Sequence, residues 1–125
     1  MLYNEKFAEW IEKYLKNFPF NIVAVNFNIY EGSNSTYDLQ MIGVGEFDKE
    51  DEDWACEEIF STKEDFFYIP ITHEIENWED GLSFITNIIQ NYLETGAYAY
   101  ILKKLQAVGI GFVDGDIEFF NFDSL

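Results

Sequence analysis

With 125 residues, 48% of them hydrophobic and 19% aromatic, the chain holds enough apolar mass for one folded domain spanning 1–125 and too much for a disordered segment. A formal net charge of −17 without a single arginine excludes direct nucleic-acid binding and disfavours anionic membrane surfaces: polyanions are repelled, and the bidentate reader of phosphate and guanine is missing. No stretch approaches the roughly 20 apolar residues of a membrane span, residues 1–5 lack a signal-peptide pattern, and the lone Cys56 builds no internal disulfide, so a cytoplasmic location is expected.

Phe7, Trp10, Ile11, Tyr14, Leu15 and Phe18 recur at spacings of three and four, which predicts an amphipathic helix stopped by Pro19. From 22 to 30 the period becomes two, with Val23, Val25, Phe27 and Ile29 on one face and Ala24, Asn26 and Asn28 on the other. Residues 31–35 are turn chemistry, and 36–47 read as the returning strand of a hairpin. Gly43 and Gly45 in that strand point to a bulge or a close backbone approach. After the acidic residues 48–53, a third strand is expected over 54–61 and an extended segment over 66–71. Asn77, with Asp80 three residues on, is an N-cap for a helix carried by Trp78, Leu82, Ile85, Ile88, Ile89, Tyr92 and Leu93 and ended by Gly96. Tyr98, Ile101, Leu102 and Leu105 predict a shorter helix. Asp114-Gly115 supplies the two positive-φ positions of a tight hairpin turn, placing Phe112 opposite Ile117 and Ile110 opposite Phe119. Together these elements predict an α+β fold: a single antiparallel sheet of about five strands with three helices packed on it.

The charge is unevenly spread. Acids and lysines balance through residue 16, whereas residues 17–102 hold seventeen acids against Lys49 and Lys63 alone, a local balance of −15. The densest run carries Glu46, Asp48, Glu50, Asp51, Glu52, Asp53, Glu57 and Glu58, with Trp54 and Cys56 among them. Charge runs are commonly solvated loops. Here, however, acids spaced about 3.4 Å per residue along an extended chain lie within a Debye length of roughly 8 Å and repel one another. A basic partner converts that repulsion into attraction and speeds encounter. These eight acids and Trp54 are therefore the candidate partner-binding residues, Trp54 serving either as a desolvated anchor or as core.

Catalytic and cofactor readings find less support. Neither acidic run has the spacing of the twelve-residue calcium loop, so no metal and no cofactor are expected. His73 is the only histidine and reads as a loop residue before a helix. Carboxylates around Cys56 disfavour its thiolate, leaving it a small, partly buried residue. Gly109-Ile110-Gly111 lacks the third glycine of a dinucleotide fingerprint. No enzymatic activity is expected.

Three segments, Asn26-Phe27-Asn28-Ile29-Tyr30-Glu31-Gly32-Ser33, Asp51-Glu52-Asp53-Trp54-Ala55-Cys56-Glu57-Glu58 and Gly109-Ile110-Gly111-Phe112-Val113-Asp114-Gly115-Asp116, give the chain a resemblance to the immunity proteins of bacterial polymorphic and contact-dependent toxin systems. The resemblance implies a cytoplasmic protein that protects its own cell by binding a cognate toxin, often a cationic nuclease, and covering its active site. It carries over no catalytic residues. The alternatives from other classes are a general acidic adaptor domain and a small metal-assisted hydrolase.

Overall fold

A computed structural model describes residues 2–121 of the protein. Helix α1 (Leu2–Leu15) forms at the three-and-four spacing and buries Phe7, Trp10, Ile11 and Leu15. Strands β1 (Ala24–Glu31) and β2 (Thr36–Val44) pair antiparallel from Ala24↔Val44 to Glu31↔Tyr37, with Ser35 turning the chain at φ 57°. The outer edge of β2 is then shared by two short strands. β3 (Glu58–Ser61) pairs with its C-terminal end and β4 (Phe67–Pro70) with its N-terminal end. Between them Thr62 keeps the ladder closed: its N–H donates to Met41 O at 3.0 Å, and its hydroxyl accepts from Met41 N–H at 3.1 Å. The β2–β3 register shifts between Gly43 and Val44, the irregularity expected from the glycines.

Helix α2 (Trp78–Thr95) starts at the expected cap, where Asp80 N–H donates to Asn77 Oδ1 at 2.8 Å, and α3 (Ala99–Lys103) follows the break at Gly96. Strands β5 (Ala107–Phe112) and β6 (Glu118–Phe119) complete a sheet of order β3-β2-β1-β5-β6, with β4 also on β2. The fold class is the expected α+β, but the sheet is mixed rather than antiparallel, because β5 runs parallel to β1. The reason is the connection. β4 runs in the sense of β1, and the chain crosses through α2 and α3 before re-entering, which carries it back to the end of the sheet where β4 began and makes the next strand parallel.

The helices cover one face of the sheet. Val25, Phe27 and Ile29 of β1, Leu39 and Met41 of β2, Phe67 and Ile69 of β4 and Val108 and Ile110 of β5 meet α1 and α2 there in the main core. Tyr92 of α2 joins the two helices: its ring lies 5.8 Å from Phe7 and its hydroxyl donates to Glu12 at 3.0 Å. Burial, reinforced by the Glu12 carboxylate, raises the Tyr92 phenol well above its ordinary value. A second, smaller cluster of Ala24, Ile42, Val44, Trp54 and Ala107 lies on the opposite face.

Two local expectations are corrected. Residues 54–57 do not extend β3; Trp54–Cys56 is a single helical turn, and the strand starts only at Glu58. The last hairpin is not the tight Asp-Gly type, since no described glycine has positive φ and the observed pairs are Ile110↔Glu118 and Gly109↔Phe119. That register is one residue from the expected one. Gly109 and Gly111 explain it, because they leave bare backbone on which residues 113–117 fold back: a Cβ at Gly111 would collide with Asp116 O.

The single ion pair among the described residues joins α1 to the β3–β4 connection. Lys13 Nζ lies 2.7 Å from Asp65 Oδ2, Tyr14 donates to the same carboxylate, and Trp10 Nε1 donates to Asp65 O at 2.8 Å. The hydrogen bonds from Lys13 and Tyr14 hold the Asp65 carboxyl below its ordinary range, while burial and then Asp65 push Tyr14 up to about 12. Asp65 is partly exposed, so Asp65→Asn is expected to cost about 1 kcal/mol or less near neutral pH. A depressed carboxyl stabilises the fold above the ordinary carboxylate range and stops doing so as pH falls through its lowered folded value. Urea titrations of both proteins should therefore differ at pH 7 and converge in acid once the folded carboxyl is protonated. A gap that persists in acid would assign the loss to packing.

Candidate partner-binding site

The acidic run connects β2 to β3 and is wound rather than extended. Asp51 N–H donates to Asp48 O at 3.0 Å, Trp54 N–H to Asp51 O at 3.3 Å and Cys56 N–H to Asp53 O at 3.0 Å. The side chains of Asp48 and Asp51 accept the amides two residues on, Glu50 N–H at 3.0 Å and Asp53 N–H at 2.9 Å. Such turns suit aspartate, whose short carboxylate reaches its own backbone. Winding brings the acids closer together than an extended chain would.

All eight acids of the run are exposed. Among the described residues none of them has a cationic partner, because Lys13–Asp65 is the one ion pair. Glu46, Asp48, Asp51, Asp53 and Glu57 line an open cavity of about 950 Å³ together with Val23, Val44, Gly45, Phe47, Trp54, Cys56, Ile59 and Gln106. Glu50, Glu52 and Glu58 lie outside that lining. The cavity thus has an acidic margin and an apolar floor. Cys56 is exposed here, not partly buried as expected, because the helical turn points Trp54 inward instead.

Trp54 takes the core role of its two expected ones. It is 6% exposed, its ring 5.0 Å from Phe47 and 5.9 Å from Phe119, and it seals the smaller cluster against the sheet. It is not a free anchor in this conformation.

Beside Trp54 the outer face of the sheet carries a chain of polar side chains. Gln40 Nε2 donates to Lys63 O at 3.0 Å, Asn28 Nδ2 donates to Gln40 Oε1 at 3.1 Å, and Asn26 Nδ2 donates to Asn28 Oδ1 at 2.7 Å. Tyr30 also donates to Gln40 Oε1, at 3.2 Å. Asn26 and Asn28 were legible as outward-facing by their alternation, but their linkage to Gln40 depends on the hairpin register Asn28↔Gln40. Val23, Gly45, Ile59 and Gln106 were likewise not readable as cavity residues, since four separate segments bring them together.

Among the described residues there is no group of His, Cys, Asp and Glu side chains arranged to hold a metal ion, and no helix is long and apolar enough to cross a membrane. His73 is exposed, in a short helical turn before α2. No protein-family model, no curated protein and no solved structure matches the chain.

Proposed function

We propose that this protein is a stoichiometric inhibitor of the immunity type, which binds a cognate basic protein toxin through the acidic loop between β2 and β3. The observation that carries the reading is the accumulation of eight exposed carboxylates, without a cationic partner among the described residues, five of them lining a cavity with an apolar floor. Uncompensated like charge on a structured loop raises the energy of the free protein and is relieved when a complementary surface arrives. Inhibition is by occupation, so no residue of this chain reacts, and nuclease-type toxins are the natural targets because their substrate grooves are cationic.

The test is to read the neighbouring genes for a large open reading frame with a toxin-like C-terminal domain and to co-purify the protein with that domain. The complex is expected at low ionic strength and should weaken as salt is raised, through screening of the loop. Failure to recover any complex at low salt would reject the proposal.

A further inference from the structure

The polar chain on the outer face of the sheet has a fixed direction. Lys63 O can only accept, so Gln40 must donate to it; Gln40 Oε1 then accepts from Asn28, and Asn28 Oδ1 accepts from Asn26. The free end is therefore an acceptor. Asn26 Oδ1 is buried, in a residue 2% exposed, and has no partner among the described residues. Ile117, of the segment 113–120, and the Trp54 ring lie beside it. A Cβ at Gly109 would lie 2.5 Å from Asn26 Oδ1, 2.7 Å from an Ile117 methyl and 3.4 Å from the Trp54 ring, so these three groups converge above that glycine.

The same segment covers Trp54. Phe119 stacks on its ring, and Ile117 packs against its cluster. The hold is concentrated at the ends, where Val113 N–H donates to Ile29 O at 3.1 Å, Phe120 N–H donates to Val108 O at 2.9 Å and Phe120 packs on the main core. Between them β6 is two residues long, both exposed, and its neighbouring loop adds Asp114 and Asp116 to a chain that is already strongly acidic. An unsatisfied buried acceptor further favours a state in which water reaches it.

We infer that residues 113–120 are a displaceable strap that gates Trp54, so that lifting the strap hydrates Asn26 and uncovers an indole beside the acidic loop. Closed, Trp54 is core; open, it becomes the aromatic anchor that the carboxylates lack, able to take a cationic side chain on its face. This regulation of the docking surface rests on the function proposed above, whereas the motion itself does not.

Gly111→Ala is the direct probe. Its Cβ would collide with Asp116 O, so the strap must shift there, and among the strap's residues Phe120 alone packs against the helix-side core. In the wild type the Phe120 amide, bonded to Val108 O, should exchange hydrogen through a local opening insensitive to low urea, unlike the Val23 amide bonded to Val44 O. Gly111→Ala should speed Phe120 exchange about tenfold or more without affecting Val23. Acrylamide quenching, compared with and without G111A in a Trp78→Phe background that removes the exposed indole, should rise. Equal urea dependence of Phe120 and Val23 in the wild type, or unchanged Phe120 exchange and quenching in Gly111→Ala, would overturn the strap. Decalysine titrated at low salt then separates the two proposals. Tighter binding to Gly111→Ala supports gating, equal binding to both proteins overturns gating alone, and binding to neither overturns the acidic docking surface while leaving the exchange result standing.

Discussion

Phe7→Ala is expected to cost roughly 3–5 kcal/mol, the largest loss of stability for any single truncation in this domain. Phe7 is fully buried, and its ring lies close to four others: Trp10 at 5.7 Å, Phe27 at 6.0 Å, Phe67 at 5.6 Å and Tyr92 at 5.8 Å. Those partners belong to α1, β1, β4 and α2, so one side chain ties both long helices to the sheet on each side of β2. Removing it leaves a cavity that four rings on separate elements cannot close together. Against the roughly 5–15 kcal/mol that holds a typical domain folded, the variant should sit near its unfolding transition at room temperature. Urea unfolding followed by circular dichroism measures this. A loss under about 1 kcal/mol would mean that α1 is not held by this cluster.

The second large effect has opposite signs on folding and on binding. Replacing Glu50, Asp51, Glu52 and Asp53 by their amides removes four negative charges from one turn of chain without removing the turn, because a side-chain amide oxygen at position 51 still accepts the backbone N–H of residue 53. Folding stability should rise slightly, since the lost interactions are repulsive. Association with a basic partner should slow by roughly 10- to 1000-fold at low ionic strength, the range over which complementary fields accelerate encounter. A stability gain with unchanged affinity would make the run a solvated loop.

Periodicity made most of the fold legible. The stripe from Phe7 to Leu15, the alternation from Ala24 through β1 and the Asn77 cap are local patterns, and each formed where the residues required it, whereas Val23, expected on the face of Val25, precedes the strand and packs against the smaller cluster on the other face. What failed was long-range or depended on missing side chains. The parallel placement of β5 follows from a helical crossover, which no window of residues encodes. The Asp114-Gly115 turn gave way because the chain found a bare surface at Gly109 and Gly111, and an absent Cβ leaves no hydrophobic pattern to read. The acidic loop was visible as composition, but its winding and the cavity it encloses come from backbone hydrogen bonds and from Val23, Ile59 and Gln106 arriving from other elements. Trp54 shows the limit most clearly: its burial depends on Phe119, which lies far away in the chain at the opposite edge of the sheet.

Whether the acidic loop is the docking surface is tested most directly by the association rate with the basic protein partner that co-purification recovers, across a range of ionic strength, for the wild type and for E50Q/D51N/E52Q/D53N. The wild-type rate should fall steeply as salt rises, and the variant's should start lower and stay nearly flat, so that the two converge once the field is screened. Equal rates with the same salt dependence would place the docking surface elsewhere on the molecule.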